Sequence, residues 1–186
     1  MTLEEHRGIY PVFEIFYLQS ILYSADRSAH AFRNFDKAVS QHLAPDFIFA
    51  AVQEALTYAG ALSRFFWPMK ADKKLAFRRG ARLRQAFELD DTSPLKWRRL
   101  RNAFEHFDED LDQFLLEDRA GYFFPSPIIG DHHLADDDLG HIFKLVDPSG
   151  GVCVLLGNKF EFRPIQAEVE RILVSVIQKY SAGGRL

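Results

Sequence analysis

The 186-residue sequence contains a single cysteine, Cys153, and no long uninterrupted apolar run. One cysteine excludes an internal disulfide, which is typical of proteins from a reducing compartment. No window approaches the roughly 20 consecutive apolar residues that a membrane-spanning helix needs. The first six residues include two glutamates and lack the basic-then-apolar order of a signal peptide. We therefore expect a cytoplasmic protein that does not insert into a membrane.

The motifs of several enzyme classes are also missing. The sequence has no Gly-x-Ser-x-Gly element and no dinucleotide fingerprint, and Gly150-Gly151 lacks the context of a phosphate-binding loop. Asp131-His132-His133, close to Asp136-Asp137-Asp138, contains metal-binding residue types. Its spacing is not that of a zinc site, and it lies in a predicted loop. We expect neither a cofactor nor a bound metal.

What is present is typical of a globular protein: 47% of the residues are hydrophobic, 26% are charged, and 18 are phenylalanine. We expect a single domain spanning residues 1–186. Apolar residues at helical spacing predict helices over about 10–40, 46–66, 72–88 and 94–118, and a last helix from Pro164. The fourth helix has the most regular apolar stripe, which consists of Trp97, Leu100, Phe104, Phe107, Leu111 and Phe114.

Short apolar runs at 142–146 and 152–156 flank the turn-forming sequence 147–151. They predict a β-hairpin, extended by a short strand at 160–162, within about 141–162. Residues 121–140 are predicted to be a loop, because they are rich in proline, glycine and aspartate. Short helix connections favour antiparallel neighbours. The predicted fold is mainly α: an antiparallel up-and-down bundle of four to five helices, with a small β-hairpin before the C-terminal helix.

Charge is segregated along the chain, although the net charge is only −3. Residues 64–101 hold twelve basic and four acidic side chains, whereas residues 102–138 hold eleven acidic and one basic. The basic segment is either a solvated face that pairs with the acidic one or a surface for RNA phosphates. The candidate phosphate-binding residues are Lys73, Lys74, Arg78, Arg82 and Arg98.

The most informative residues are Arg101, Asn102 and His106, which lie on the fourth predicted helix. Helical geometry places Asn102 and His106 opposite the apolar stripe, with Arg101 at its margin. Histidine titrates near neutral pH and can accept or donate a proton, while arginine stays charged and its fork matches phosphate oxygens. Together they could cleave RNA, whose 2′-hydroxyl is its own nucleophile. Such cleavage needs no metal.

The sequence Arg101-Asn102-Ala103-Phe104-Glu105-His106 resembles the signature of the HEPN superfamily: arginine, a polar residue, three variable residues and histidine. The resemblance covers six residues. The resemblance implies a helical bundle, which is often dimeric in this superfamily. Many members are metal-independent ribonucleases, and others bind nucleotides or act as scaffolds. By this resemblance His106 would be the acid–base residue, Arg101 the phosphate-binding residue and Asn102 the supporting polar residue. A hairpin before the last helix departs from the minimal bundle.

Two functions therefore remain open at this point. The first is a metal-independent endoribonuclease, in which a homodimer brings two copies of His106 into one cleft and the basic third helix holds the RNA. A protein antitoxin would be a natural partner of such an enzyme. The second is a non-catalytic helical interaction, scaffold or nucleotide-binding module that uses the same polar face. In the second case Arg101 pairs with Glu105 one turn away and His106 contacts water.

Overall fold

The computed structural model describes residues 8–69, 74–97, 99–117 and 120–186, with the side chains of Leu100 and Arg101 also outside the description. The described chain is mainly helical with a small β region, which confirms the prediction of a mainly α protein. The α-helices are α1 (Glu14–Ser40), α2 (Pro45–Phe66), α3 (Lys74–Ala86), α4 (Arg99–Glu105), α5 (Phe107–Leu116) and α6 (Arg163–Ser181). The strands are β1 (Tyr122–Phe124), β2 (Ile128–Ile129), β3 (Gly140–Ile142), β4 (Lys144–Asp147), β5 (Val152–Leu155) and β6 (Asn158–Glu161).

Helices α1 and α2 pack closely because small residues line their contact. Ala55 and Ala59 on α2 are buried, and the buried hydroxyl of Ser28 on α1 donates to the carbonyl oxygen of Ala55 at 2.8 Å. The rings of Tyr23 and Tyr58 meet edge to face with centroids 6.2 Å apart. Helices α1 and α2 therefore run antiparallel to each other. The hydroxyl bond satisfies a polar group that the close approach removes from water.

Helix α6 completes the central core on another side of α1. The ring of Phe162 stacks on Phe32 at 6.2 Å and meets Phe35 edge to face at 5.4 Å. Arg163 donates to Asp36 at 2.9 Å, which fixes the beginning of α6 beside the second half of α1. Aromatic pairs of this kind add to the free energy gained from burial alone. Part of the unusual phenylalanine content is thus used at this contact.

The predicted fourth helix is not continuous, so that prediction was wrong. Pro94–Lys96 forms a 3-10 turn, Trp97 is extended and 63% exposed, and the helix that follows breaks again at His106. The break separates two packing partners: Phe104 on α4 lies 6.3 Å from Phe49 on α2, whereas Phe114 on α5 contacts the strand region. One straight helix could not reach both. The predicted end at Asp118 lies outside the described residues.

The β region is larger than a hairpin. Strands β4 and β5 pair antiparallel around 148–151, β6 pairs antiparallel with β5, and β2 adds in parallel to β4. A separate parallel pair joins β1 to β3. Residues 121–140 were predicted to be a loop, yet they contain β1, β2, the start of β3 and a 3-10 turn at His132–Asp136. Their strands are two or three residues long, which is too short to show the alternation that predicts a strand.

No helix in the described ranges combines the length and the apolar content needed to cross a membrane. The predicted beginning of the third helix, at residue 72, lies outside the described residues. Strand β6 forms one edge of the four-stranded sheet, and its side chains lie near α4 and α5. The space between this strand and the two short helices is the setting of the candidate site.

Candidate active site

His106 occupies the junction between α4 and α5. Its backbone leaves helical geometry, with φ −115° and ψ 25°, but both of its peptide groups remain bonded. The His106 N–H donates to the Asn102 carbonyl at 2.9 Å, and the His106 carbonyl accepts from the Asp110 N–H at 2.9 Å. The bend is therefore a defined joint that turns α5 relative to α4. It places the imidazole at the corner between the two helices.

An open cleft of about 480 Å³ lies between this corner and strand β6. Its lining includes Arg99, Asn102 and His106 from the helical side, and Asn158 and Phe160 from the strand. The side chains of Asn102 and His106 thus share one concave surface, as the ribonuclease hypothesis requires. A cation, an amide, an imidazole and an aromatic ring are groups that bind phosphates and bases in RNA.

Two carboxylates modify this cleft. Glu109 and Asp110, both at the start of α5, also line it. The Oε2 atom of Glu109 lies 3.5 Å from Nδ1 of His106, with the two side chains 76% and 55% exposed. An ion pair this exposed adds little stability. It can orient the imidazole so that Nε2 points away from Glu109, but both carboxylates also repel a phosphate.

The position of Arg101 is settled only for its backbone, which belongs to α4. Its side chain lies outside the described part of the chain, so its predicted phosphate-binding role stays a prediction. Arg99 was not singled out from the sequence, although it lies in the cleft. The signal was available, because residues 99, 102 and 106 follow the i, i+3, i+7 spacing of one helix face.

Glu105 forms an ion pair with a residue on another helix. Its carboxylate accepts from Arg64, near the end of α2. The alternative pairing of Glu105 with Arg101, one turn away, involves a side chain outside the described residues and stays a prediction. The observed partner ties α4 to α2 and adds to the Phe49–Phe104 contact. The helix that carries Asn102 is therefore anchored to α2 by two contacts.

Several arginines of the basic third helix are used inside the protein. Arg82 donates to the Ile9 carbonyl at 3.0 Å and to the buried carboxylate of Glu14. Arg84 donates to the carbonyl oxygen of Phe66, the last residue of α2. Cations near the exposed carbonyls of a helix C-terminus are stabilising. These uses account for part of the positive charge without any polyanion.

The remaining candidate phosphate-binding residues are Lys73, Lys74, Arg78 and Arg98. Lys74 is exposed at the start of α3, and Arg78 is half-buried on the same helix. Lys73 and Arg98 lie outside the described residues. Because Arg82 pairs with Glu14, one of the five candidate phosphate-binding residues already has a partner inside the protein.

Asp131, His132 and His133 lie together in the 3-10 turn region, with one donor atom of each within 4.8 Å of the others. These are the residues whose sequence spacing led us to expect no metal site. They belong to a different surface from the lining of the His106 cleft.

Comparisons of the chain with protein-family models, with curated proteins and with solved structures gave no match. The functional assignment therefore depends on the chemistry of the cleft and on the resemblance of residues 101–106 to the HEPN signature.

Proposed function

We propose that this chain is a HEPN-like, metal-independent endoribonuclease built on an antiparallel helical bundle. The observation that supports the proposal most is the shared lining of one open cleft by Asn102, His106 and Arg99. In the proposed complex the RNA backbone enters this cleft. The guanidinium groups of Arg99 and Arg101 contact phosphate oxygens, and the ring of Phe160 offers a face on which a base can stack.

The proposed reaction is transesterification at one phosphodiester. A histidine removes the proton from the 2′-hydroxyl, whose oxygen then attacks phosphorus and forms a bond to it. The bond from phosphorus to the 5′-oxygen breaks, and a second acid protonates that oxygen. The products are a 2′,3′-cyclic phosphate and a 5′-hydroxyl. The guanidinium groups of Arg101 and Arg99 stabilise the negative charge on the pentacoordinate phosphorus.

One imidazole in one chain cannot readily serve as both base and acid within a single turnover. We therefore propose a homodimer in which two copies of the α4–α5 corner face each other. The cleft is open and lined by polar groups, so a second copy would enclose it. Each copy of His106 would then take one of the two proton-transfer roles.

The decisive experiment compares purified wild-type protein with His106→Ala on a labelled single-stranded RNA in the presence of EDTA. The expected result is cleavage by the wild type with 2′,3′-cyclic phosphate ends, and a loss of at least a hundredfold in His106→Ala. His30→Ala is the matched control, because His30 is an exposed histidine on α1. Equal cleavage by all three proteins would identify a contaminant, and no cleavage by any of them would remove the proposal.

The second candidate is a non-catalytic interaction module. Glu109 and Asp110 in the cleft lining favour it, because carboxylates oppose a phosphate and suit a basic protein partner. This candidate predicts no RNA cleavage but a stable dimer or complex that Glu109→Gln weakens. Sedimentation of the wild type and of Glu109→Gln measures this directly. Asp108→Asn is the control, since Asp108 is an exposed acid on the same helix turn outside the cleft lining.

A further inference from the structure

Two adjacent histidines and an aspartate converge at the turn between β2 and β3. Asp131 caps the 3-10 turn at His132–Asp136, and its carboxylate accepts from the His133 N–H at 2.8 Å. The same Oδ1 lies 2.7 Å from Nδ1 of His133 and 3.8 Å from Nδ1 of His132. The two imidazole rings have centroids 4.2 Å apart and are tilted by 34° to each other. Three donor groups thus share one small volume.

His132 is held in place by a buried carboxylate from a different strand. Oδ2 of Asp147, at the end of β4, lies 2.7 Å from Nδ1 of His132, and the Asp147 side chain is only 9% exposed. The Asp147 carboxylate also accepts from the Gly150 N–H at 2.8 Å and from the His132 N–H at 3.3 Å. It fixes the orientation of the ring and leaves Nε2 as the second donor atom of His132.

We propose that Asp131, His132 and His133 bind one divalent transition-metal ion of the zinc class, with Asp147 as the positioning residue behind His132. Two imidazoles and one carboxylate form a donor set that suits Zn²⁺, Co²⁺ or Ni²⁺, whereas Mg²⁺ and Ca²⁺ prefer oxygen donors alone. Metal–donor bonds of about 2.1 Å need donor atoms roughly 3.5 Å apart. One ligand atom of each side chain lies within 4.8 Å of the other two, and the exposed side chains of Asp131 and His133 can rotate towards Nε2 of His132 to reach this spacing.

The arrangement of donors has a further consequence. Asp131 and His133 are exposed, and only three side chains contribute, so at least one coordination position is open to water or to a small anionic ligand. A carboxylate behind a metal-binding histidine raises the basicity of the ring and fixes its tautomer. The metal site is independent of the proposed RNA cleavage, which involves other residues and no metal.

The test uses the full chain without an affinity tag, freed of metal by chelation. Titration with Co²⁺, followed by visible absorption, and with Zn²⁺, followed by calorimetry, is expected to show one ion per chain. His132→Gln and His133→Gln should each weaken Zn²⁺ binding at least tenfold. His30→Gln is the matched control and should bind as the wild type does. Absence of one-to-one binding by the wild type, or unchanged binding by both variants, would overturn the proposal.

The role of Asp147 needs a separate readout, because it also accepts from the Gly150 N–H at 2.8 Å and so supports the turn. Asp147→Asn, shown to be folded by circular dichroism, is expected to bind Zn²⁺ about 10- to 100-fold more weakly. Nitrogen-15 NMR of the metal-free proteins should show His132 as the Nδ1–H tautomer in the wild type and as a mixture in the variant. An affinity within twofold of wild type, or an unchanged tautomer, would remove the positioning role.

Discussion

Lys144 on β4 places its Nζ atom 4.8 Å from the centroid of the Phe107 ring on α5 and 5.5 Å from that of Phe49 on α2. One cation thus lies between two rings that belong to different helices. Phe107 directly follows His106, so this contact fixes the first turn of α5 against the sheet and the long helix. The shape of the candidate cleft depends on it, because α5 supplies the two carboxylates in the lining.

Replacing this cation should loosen the joint. Lys144→Met nearly keeps the length of the side chain and removes its charge, so we expect the free energy of unfolding to fall by about 0.5–2 kcal/mol. Urea denaturation followed by circular dichroism measures the change. Lys37→Met, at an exposed position in the last turn of α1, is the control and should alter stability by less. A variant as stable as wild type would show that the two ring contacts contribute nothing.

A second prediction concerns the buried carboxylate of Glu14. The Glu14 side chain is only 5% exposed. It accepts a hydrogen bond from Arg82 and another from the backbone N–H of Leu186, at 3.2 Å. Arg82→Met leaves this charge without its principal partner, so a loss of roughly 3 kcal/mol is expected. Glu14→Gln combined with Arg82→Met should recover part of that loss. Thermal and urea unfolding of both single variants and the double variant give the coupling energy, and strict additivity would contradict the pairing.

The sequence predicted the long helices well because their apolar faces repeat over many turns. α1 and α2 begin and end within about four residues of the predicted bounds. The fourth helix failed although its stripe was the most regular. Phe104 and Phe114 do both pack inward, but on different partners, and periodicity cannot indicate that two partners require a bend. Trp97 is mainly exposed because the chain is extended there.

The candidate site was partly predictable. Helical geometry placed Asn102 and His106 on one polar face, and both line one cleft. The second wall of that cleft, strand β6, was not predictable, since it depends on how the sheet packs against the helices. The use of Arg82 by Glu14 was also hidden, because 68 residues separate the two in sequence. The pairing of His132 with Asp147 was missed for the same reason, as the two residues are 15 positions apart in the sequence.

Gly80 provides a prediction in which two effects oppose each other. In the middle of α3, alanine should be favoured over glycine by about 1 kcal/mol from helix propensity. However, a Cβ atom at Gly80 would lie 2.6 Å from the Phe66 carbonyl oxygen and 3.0 Å from Cδ of Pro68. Because the first contact is with backbone, we expect the clash to prevail and Gly80→Ala to destabilise by about 1–2 kcal/mol.

Differential scanning calorimetry checks the sign for Gly80→Ala. Ala81→Gly is the matched control, as Ala81 is exposed on the same turn and should lose only the propensity difference of about 1 kcal/mol. A higher melting temperature for Gly80→Ala than for wild type would mean that α2 and α3 can separate freely at this point.

The thiol of Cys153 should be inert in the folded protein. Cys153 is fully buried on β5, and burial raises the pKa of its thiol to about 12 from an ordinary value of 9.0. At pH 8 this lowers the thiolate fraction roughly a thousandfold relative to an exposed cysteine. Because the pKa of the Cys153 thiol is higher in the folded than in the unfolded protein, the buried protonated thiol contributes to the stability of the fold. That contribution is complete below about pH 9 and is lost as the pH rises towards 12.

Ellman's reagent at pH 8 is therefore expected to label the native protein only as fast as it unfolds, and to label it rapidly in concentrated urea. The labelling rate of the native protein should stay nearly constant between pH 7 and pH 9, because unfolding and not ionisation limits it. Rapid labelling of folded protein would show that β5 opens locally.

The last prediction separates phosphate contacts from structural charges, and it depends on the proposed ribonuclease function. Each cation that neutralises an RNA phosphate releases counterions, so the logarithm of the RNA binding constant falls linearly with the logarithm of the salt concentration. For single strands, each phosphate contact adds about 0.7 to the magnitude of this slope. Arg99 lines the cleft, so Arg99→Gln should reduce this slope by about 0.7. Arg33→Gln, at an exposed position on α1, should leave it unchanged. Fluorescence anisotropy with a labelled RNA and catalytically inactive His106→Ala protein as the background isolates binding from cleavage. If Arg33→Gln and Arg99→Gln reduced the slope equally, RNA would be responding to the total charge of the protein, and the cleft would have no special part in holding it.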